Sequence, residues 1–258
     1  MVTHVKGWDQ NPENLSEAKK LEIIDDQSKS EIEAITDADW VFLATPVDAI
    51  ESRLPYILDK ITTNQIIVDF GSTKSKICEV VKDHPNRNQY IAAHPIAGTE
   101  YSGPAAAFST LFENKVMIIC DRDGSDPKKL LEFQSICGSL KMKLSFLGSK
   151  EHDMHLAYVS HLSHVIAFSL SNTVLDKEKE EQQILDLAGS GFDSTVRLAK
   201  SSPEMWAPIF IRNKEYLLAS IDDFIERVQS LRETIDHEDE NAIYHFLNSG
   251  REIMKIIR

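Results

Sequence analysis

The sequence predicts an α/β protein, with a doubly wound sheet domain over residues 1–148 and an all-helical domain over residues 149–258. Up to about Leu147, short apolar runs alternate with helical patterns, the order expected of a sheet with helices on both faces. From Ser149 onward, apolar residues recur at helical spacing and no strand-like run interrupts them. At 258 residues and 42% hydrophobic, the chain is long enough to bury one large core or two smaller ones.

The strand candidates of the first half are short and rich in apolar residues. Val41–Ala44 and Ile66–Val68 are continuously apolar, as expected of parallel strands that are covered on both faces. We therefore predict a parallel sheet. The predicted strands are His4–Trp8, Trp40–Ala44, Gln65–Asp69, Tyr90–Ala93, Lys115–Cys120 and Leu144–Leu147, and the predicted helices are Asn14–Lys19, Ile50–Lys60, Lys76–Lys82 and Pro127–Cys137.

Two long stretches of the second half carry an apolar stripe at helical spacing. Such helices are longer than one small domain needs, so a homodimer formed through them is predicted, with a compact monomeric bundle as the alternative. Residues 242–258 predict one more amphipathic helix. The stripes run through Met154, Ala157, Tyr158, His161, Val165 and Phe168, and through Leu217, Ile221, Phe224, Ile225 and Val228.

Composition excludes several classes of partner. The formal net charge of −13 argues against binding to nucleic acid or to an anionic membrane, since both need clustered Lys and Arg. Cys78, Cys120 and Cys137 are too sparse for a disulfide framework and predict free thiols in a reducing compartment. No apolar run approaches the roughly 20 residues of a membrane helix, and residues 1–6 do not resemble a signal peptide, so the cytoplasm is predicted.

An acidic residue ends the first predicted strand. In a dinucleotide-binding fold, the second strand ends in an Asp or Glu that binds the adenosine ribose hydroxyls, and Asp9 occupies such a place. An acid there disfavours a 2′-phosphate, so NAD is predicted rather than NADP. The Gly-rich phosphate loop should precede this acid by roughly 20 residues, which predicts that about 30 residues of the fold lie upstream of this sequence.

Two other loops follow predicted parallel strands. Thr45 and Pro46 follow the strand that starts at Trp40, and Gly71 and Ser72 follow the strand that ends at Asp69. Ligands bind at the carboxyl ends of the strands in open α/β sheets, so both loops are predicted to contact the cofactor. Ser72 has two interpretations, as a residue that faces the nicotinamide and substrate or as a cap of the next helix.

Histidines dominate the candidate chemistry. His94 follows the strand Tyr90–Ala93 and can act as a general base at neutral pH, or can simply cap a turn. Ser160 and His164 share a predicted helical face with Asp153. Metal binding by His152, His155, His161 and His164 is the alternative, but no cysteine or carboxylate set completes a coordination shell, and no metal is predicted.

A glycine-rich turn precedes the third candidate segment. Gly189 and Gly191 lead into a helix that carries Arg197, and Trp206 follows beyond Pro203. Backbone N–H groups and a guanidinium in this arrangement can bind an anion. The alternative for Arg197 is a surface salt bridge.

Several segments together resemble the prephenate and arogenate dehydrogenase family. They are DFGSTK at Asp69–Lys74, HPIAGTEYSG at His94–Gly103, SHLSH at Ser160–His164 and GFDSTVRLAKSSPEMW at Gly191–Trp206, in the family's order and with similar separations. The resemblance implies an N-terminally truncated, Rossmann-like domain followed by a helical dimerisation domain. It also implies NAD-dependent oxidative decarboxylation of prephenate to 4-hydroxyphenylpyruvate, toward tyrosine.

The resemblance also implies roles for individual residues. His94 resembles the catalytic base that hydrogen-bonds the ring hydroxyl, and Ser72 resembles its partner. Arg197 resembles the arginine that binds a substrate carboxylate. Further residues are expected around the substrate: His164, Trp206, Thr99 and Ser160 in the pocket, and Glu100 as an acid that gates it.

Other functions remain open at this stage. One is arogenate dehydrogenase, and another is a different β-hydroxyacid dehydrogenase, although that class commonly uses a catalytic lysine where this sequence places histidines. A third is a catalytically silent fragment that only folds and dimerises, which the missing phosphate loop favours.

Overall fold

The computed structural model describes residues 3–99 and 101–256. These residues form two compact units, 1–213 and 214–258, considered separately below. The strands are β1 Lys6–Gly7, β2 Asp26–Gln27, β3 Trp40–Leu43, β4 Ile66–Asp69, β5 Tyr90–Ile96, β6 Val116–Cys120 and β7 Lys143–Leu147. The helices are α1 Pro12–Lys20, α2 Glu31–Ile35, α3 Val47–Lys60, α4 Ser75–Val80, α5 Pro127–Ser139, α6 Ser149–Leu156, α7 Leu162–Glu181, α8 Ser190–Val196, α9 Pro203–Arg212, α10 Lys214–Asp236 and α11 Glu240–Arg251.

The strands of the first unit form two sheets. β1 and β2 pair in parallel, and β3 to β7 form a five-stranded sheet in the order in which they occur in the chain. All six predicted strands and all four predicted helices are present, with ends that shift by at most three residues. The short elements β2 and α2 were not predicted, because two to five residues carry too little periodicity to be recognised.

The prediction of a wholly parallel sheet is wrong at one pairing. β3, β4 and β5 are parallel, and β6 and β7 are parallel to each other, but β5 and β6 run antiparallel. A parallel connection needs a crossover, which is usually a helix of about a dozen residues or more. The described residues between β5 and β6 contain only a short 3₁₀ turn, Pro104–Ala106, so the chain returns beside β5 in the opposite direction.

Alternate residues of the central strands point to two separate cores. Ile66 and Val68 of β4 pack with α5, whereas Ile67 between them packs with α3 on the other face. In β5, Tyr90 and Ala92 belong to the face that carries α3, and His94 continues their row because side chains alternate with a period of two. The same face carries hydrophobic residues of α6 and α9, so His94 is directed toward those helices.

Helix starts in the first unit follow local capping rules. The Asn11 side chain accepts a hydrogen bond from the Glu13 amide at 2.9 Å, and Pro12 occupies the first turn of α1. The Asp126 carboxylate accepts from Lys128 and Lys129 at 2.9 and 3.0 Å, again before a proline. These residues explain from the sequence alone why α1 and α5 begin where they do.

The second half of the described chain is helical, as predicted. Between α6 and α7 the helix widens into one π turn, Ala157–His161, of the kind often found at functional sites. The unit of residues 214–258 contains α10, α11 and a final 3₁₀ turn, Glu252–Lys255. The predicted boundary between domains near residue 148 stays a prediction. None of the described helices has the length and apolar character that a membrane crossing requires.

Candidate active site

A buried ion pair supports the loop that follows β4. Lys74 and Asp69 are fully buried and paired with each other, and the Tyr90 hydroxyl donates to Asp69 at 2.6 Å. The Gly71 amide donates to the same carboxylate at 2.8 Å. A buried charge needs this degree of compensation, so the cluster fixes the path of the chain from β4 through Gly71 to Lys74.

Asp153 of α6 binds the end of that loop. Its carboxylate accepts hydrogen bonds from the backbone amides of Lys74 and Ser75, at 2.7 and 2.8 Å. These amides begin α4, so Asp153 caps a helix that lies 78 residues away in the sequence. The interpretation of Ser72 as the cap of this helix is therefore wrong, because a remote carboxylate supplies the acceptor.

His94 lies inside the carboxyl-terminal part of β5, not after it, because the strand continues to Ile96. Its Nδ1 lies 2.8 Å from Nε2 of His152, and Nδ1 of His152 lies 2.8 Å from Oδ1 of Asp153. His152 and Asp153 are 0% and 1% exposed, whereas His94 is half-buried. Two imidazoles and a carboxylate therefore form one hydrogen-bonded row that ends at His94.

Burial holds the pKa of His94 well below its usual value, and the nearby His152, Lys74 and His161 lower the pKa further if they carry charge. A lowered pKa means that the imidazole is neutral at pH 7. A neutral imidazole can accept a proton, as a general base must. The geometry therefore fits the predicted chemistry of His94 better than its interpretation as a turn cap.

His161, at the end of the π turn, lies beside this row. Its Nδ1 lies 2.9 Å from the side-chain amide nitrogen of Asn213, which also donates to the backbone oxygen of Asp153 at 2.8 Å. Burial lowers the pKa of His161 to about 4. The sequence placed His161 on the apolar stripe of its helix, and His161 is buried; Ser160, predicted to share a face with Asp153 and His164, is half-buried within the π turn.

His164 and Trp206 form an aromatic pair. Their ring centroids are 3.4 Å apart with planes inclined by 22°, and His161 meets the Trp206 ring edge-on at 5.9 Å. Burial lowers the pKa of His164, and a nearby positive charge on Arg197 lowers it too. Arg197 itself is exposed at the start of a 3₁₀ turn, Arg197–Lys200. The structure thus brings together three predicted substrate residues, and His161, which contacts Trp206, lies close enough to His94 to affect its pKa.

Other predicted residues lie at loops. Asp9 follows β1 by two residues and is half-buried, and its carboxylate accepts from the Asn11 amide at 2.7 Å and from the Asn14 side chain at 3.2 Å. Thr99 is exposed and hydrogen-bonds the Tyr101 backbone. Glu100 lies outside the described residues. Of the remaining ones, Thr45 and Pro46 are exposed before α3, Gly71 is buried and Ser72 is half-buried.

Lys74, Asn213 and Asp153 were not assigned a site role from the sequence, and His152 and His161 were considered only as metal ligands. Asn213 has no local signal, since its partners are distant in the chain. Asp153 was recognised only as sharing a helical face with Ser160. A lysine directly after a buried strand and small-residue loop was the one usable signal, because such a position demands a buried partner.

The histidine cluster does not form a metal centre among the residues that the structure describes. No group of three His, Cys, Asp or Glu side chains in residues 3–99 and 101–256 has the arrangement to hold an ion. Instead, the ring nitrogens of His152 and the Nδ1 of His161 have protein partners.

Comparison with known sequences then identifies the family. The family model described as the nucleotide-binding domain of prephenate dehydrogenase matches residues 2–145, and the one described as its dimerization domain matches residues 148–249. The chain belongs to the prephenate dehydrogenase family. This confirms the fold class and the resemblance drawn from the sequence motifs.

Individual relatives agree with this assignment. The prephenate dehydrogenase of Bacillus subtilis is 29% identical over 248 residues, covering 95% of this chain and 67% of that protein. The cyclohexadienyl dehydrogenase of Zymomonas mobilis is 28% identical, covering 91% of this chain and 80% of that protein. The crystal structure of Aquifex aeolicus prephenate dehydrogenase, in complex with hydroxyphenyl propionate and NAD+, has a TM-score of 0.91 and 30% identity, covering 100% of this chain and 90% of that one. This chain thus spans about two thirds of the length of the Bacillus relative.

Proposed function

We propose that this protein catalyses the NAD-dependent oxidative decarboxylation of prephenate to 4-hydroxyphenylpyruvate, a step of tyrosine biosynthesis. The observation that carries the proposal is a neutral, half-buried His94 held by His152, near His161, which contacts the Trp206 ring of the His164–Trp206 pair. Membership of the prephenate dehydrogenase family supports it, as does the bound pair of hydroxyphenyl propionate and NAD+ in the Aquifex aeolicus structure.

The proton transfer is the part of the reaction that this chain's residues perform. His94 accepts the proton of the ring hydroxyl while hydride leaves the same ring carbon and the ring carboxylate departs as carbon dioxide. General-base assistance of this kind is typically worth about 10²–10⁴-fold in rate. Ser72, on the loop tied to Asp153, is the proposed hydrogen-bond partner at the same hydroxyl.

Substrate positioning falls to the second cluster. Arg197 binds a substrate carboxylate, and a charge-assisted hydrogen bond of this type contributes roughly 1.5–3 kcal/mol. His164 and Trp206 form an aromatic wall, while Thr99, Glu100 and Ser160 are proposed as further pocket residues. The stacked pair is rigid because both rings are buried, so it can orient a ring without first being ordered.

NAD fits the residues at the carboxyl ends of the strands. A carboxylate has about four lone-pair sites, and Asp9 uses two of them within the chain, which leaves acceptors for ribose hydroxyls. Thr45, Pro46, Gly71 and Ser72 would flank the remainder of the cofactor. When bound, NAD supplies the acceptor for the hydride.

Arogenate is the second candidate substrate. The relative from Zymomonas mobilis is named a cyclohexadienyl dehydrogenase, a name not restricted to prephenate. Prephenate and arogenate share the ring and differ in the side chain, so His94 would serve both. Parallel turnover assays with the two substrates decide between them, and a kcat/KM for prephenate at least tenfold higher supports the proposal.

We also propose that the protein is a homodimer formed through the helical part, residues 149–258, and that residues 1–148 bind the nucleotide. The match to the dimerization domain supports this. So do the partly exposed Phe224, Ile225 and Val228, which form one stripe on α10. Sedimentation equilibrium tests the proposed dimer.

The cytoplasm is the proposed location, supported by three free, buried cysteines, Cys78, Cys120 and Cys137.

The deciding experiment is calorimetric titration of the protein with NAD and with NADP, followed by NADH production with prephenate. Binding of NAD in preference to NADP, with turnover, supports the proposal. If the protein shows neither NAD binding nor turnover, but gains them in a chain extended at its N-terminus by a strand and a Gly-rich loop, the result supports a dehydrogenase that needs those segments. If neither the given chain nor the extended chain turns over prephenate, the result supports a protein that folds and dimerises without catalysis.

A further inference from the structure

In the row Asp153–His152–His94, the hydrogen-bond partners determine which ring nitrogens carry a proton. The Asp153 carboxylate accepts from the Lys74 and Ser75 amides at 2.7 and 2.8 Å, and its Oδ1 lies 2.8 Å from Nδ1 of His152. Burial opposes its ionisation, but its hydrogen bonds with His152 and Ser75 outweigh burial and lower its pKa, so Asp153 is ionised. An ionised carboxylate has no proton to give, so His152 must donate from Nδ1.

The remaining protons follow from the neutrality of His152. Burial lowers the pKa of His152 despite the opposing effect of Asp153, and the positive charge of Lys74 acts in the same direction as burial. A neutral imidazole that donates at Nδ1 has a lone pair at Nε2. Since this Nε2 lies 2.8 Å from Nδ1 of His94, His94 must donate from Nδ1, which leaves its own Nε2 without a proton.

We propose that His152 and Asp153 form a positioning pair that fixes His94 in the tautomer with its proton on Nδ1, so that Nε2 is the atom that accepts the substrate proton. The inference rests on the proposed role of His94 as base. His152 and Asp153 act through His94 and touch no reacting atom. The arrangement parallels the carboxylate–histidine pairs that select a tautomer in serine proteases and at metal sites.

Asp153 also connects the tautomer to the neighbouring loop. The same carboxylate binds the Lys74 and Ser75 amides, two and three residues after Ser72, and the Asp153 backbone oxygen accepts from Asn213 at 2.8 Å. Asp153 therefore positions the loop that carries Ser72 and determines which ring nitrogen of His94 is protonated. A substitution at Asp153 should lower the rate of the chemical step more than it weakens the binding of substrate.

The first test reads the tautomer directly and needs no turnover. Two-bond ¹H–¹⁵N correlation spectra of the full, ¹⁵N-labelled chain at pH 7.5 distinguish a protonated ring nitrogen from a bare one. The His94 signals are assigned by comparison with His94→Gln. We expect a protonated Nδ1 and a bare Nε2 in His94. A proton on Nε2, or an even mixture, overturns the proposal, whereas failure of the proposed function appears separately, as no turnover of prephenate.

The second test compares variants that differ in their proton pattern. In Asp153→Asn the side-chain NH₂ group turns toward His152 and reverses the row, so we expect kcat to fall by about 10²–10⁴-fold while KM changes less than threefold. The matched control is Asp126→Asn, which removes a helix-capping carboxylate that also accepts two backbone amides but does not contact the row. A kcat of Asp153→Asn equal to that of this control would refute the pair.

Variants at His152 keep the test valid if Asp153→Asn does not fold. In His152→Gln the side-chain oxygen can still accept from Nδ1 of His94, so we expect kcat within about tenfold of the wild type. In His152→Leu the acceptor is lost, and kcat should fall by about 100-fold or more. Equal losses in both variants would show a packing role alone and overturn the proposal.

Discussion

The buried His161 should make the stability of this protein depend on pH. The imidazole is 1% exposed, and its Nδ1 is paired with the Asn213 side chain. Burial lowers its folded-state pKa to about 4, from the ordinary value of 6.5. Between these values the unfolded chain binds a proton that the folded chain does not. The stabilisation is therefore fully present above about pH 6.5 and is lost as the pH falls toward 4.

The size of the effect follows from this difference in pKa. One pKa unit corresponds to about 1.4 kcal/mol, so the full difference corresponds to about 3 kcal/mol below pH 4. At pH 5, where the folded-state imidazole is still mostly neutral, the loss should reach about 2 kcal/mol. Because His161 is fully buried, screening by solvent does not reduce this figure appreciably.

The assay is urea unfolding at 25 °C, followed by far-ultraviolet circular dichroism at several pH values between 7.5 and 5. The informative variant is His161→Asn, whose side-chain oxygen can replace Nδ1 as acceptor for Asn213 but does not titrate. The variant should be less stable at pH 7.5 because it loses contact with Trp206. Its stability should nevertheless fall less on acidification than that of the wild type, by about 2 kcal/mol.

An exposed histidine provides the control. His245→Asn should preserve the pH dependence of the wild type, since its ring lies at the surface. If His161→Asn and the wild type lose the same free energy of unfolding between pH 7.5 and 5, within 0.5 kcal/mol or so, then the reasoning from burial is refuted. The free energy of unfolding that both proteins lose on acidification would then arise from other groups, such as His94 and His152.

Three further substitutions test the site. His94→Ala should lower kcat for prephenate by about 10²–10⁴-fold with little change in KM, as measured by steady-state NADH formation. Arg197→Ala should mainly raise KM, by roughly 10–150-fold, because it removes a charge-assisted contact; the opposite pattern in the two variants would contradict both assignments. Lys74→Met should lower the free energy of unfolding by about 3 kcal/mol because Asp69 stays buried without its counter-ion, whereas the exposed control Lys128→Met should change it by less than about 0.5 kcal/mol in urea titrations.

Much of the architecture could be predicted because local patterns carry it. Continuous apolar runs predicted β3 and β4, and capping residues before prolines mark the starts of α1 and α5. The motifs also named His94, His164, Trp206 and Arg197; in the structure His164 stacks on Trp206 and Arg197 lowers the pKa of His164, while the roles of all four stay predictions. The short β2 and α2 were missed because their periodic signal is too brief.

Errors and omissions in the predicted site have a common cause. β6 runs antiparallel to β5 because the described residues between them form no crossover helix. The composition of the two strands does not reveal this. The π turn widens the helix at Ala157–His161, which spacing that assumed a regular helix did not predict. Both are properties of how segments fit together.

By itself the sequence determined the order of strands and helices and the residue types available for chemistry, since hydrophobic period and capping act within a few neighbouring residues. Only the tertiary structure decided which atoms share protons. Asp153 meets Lys74 and Ser75 across 79 and 78 positions, and His94 meets His152 across 58. Such pairings are imposed by burial, which forces polar groups that are distant in the chain to satisfy one another once water is excluded.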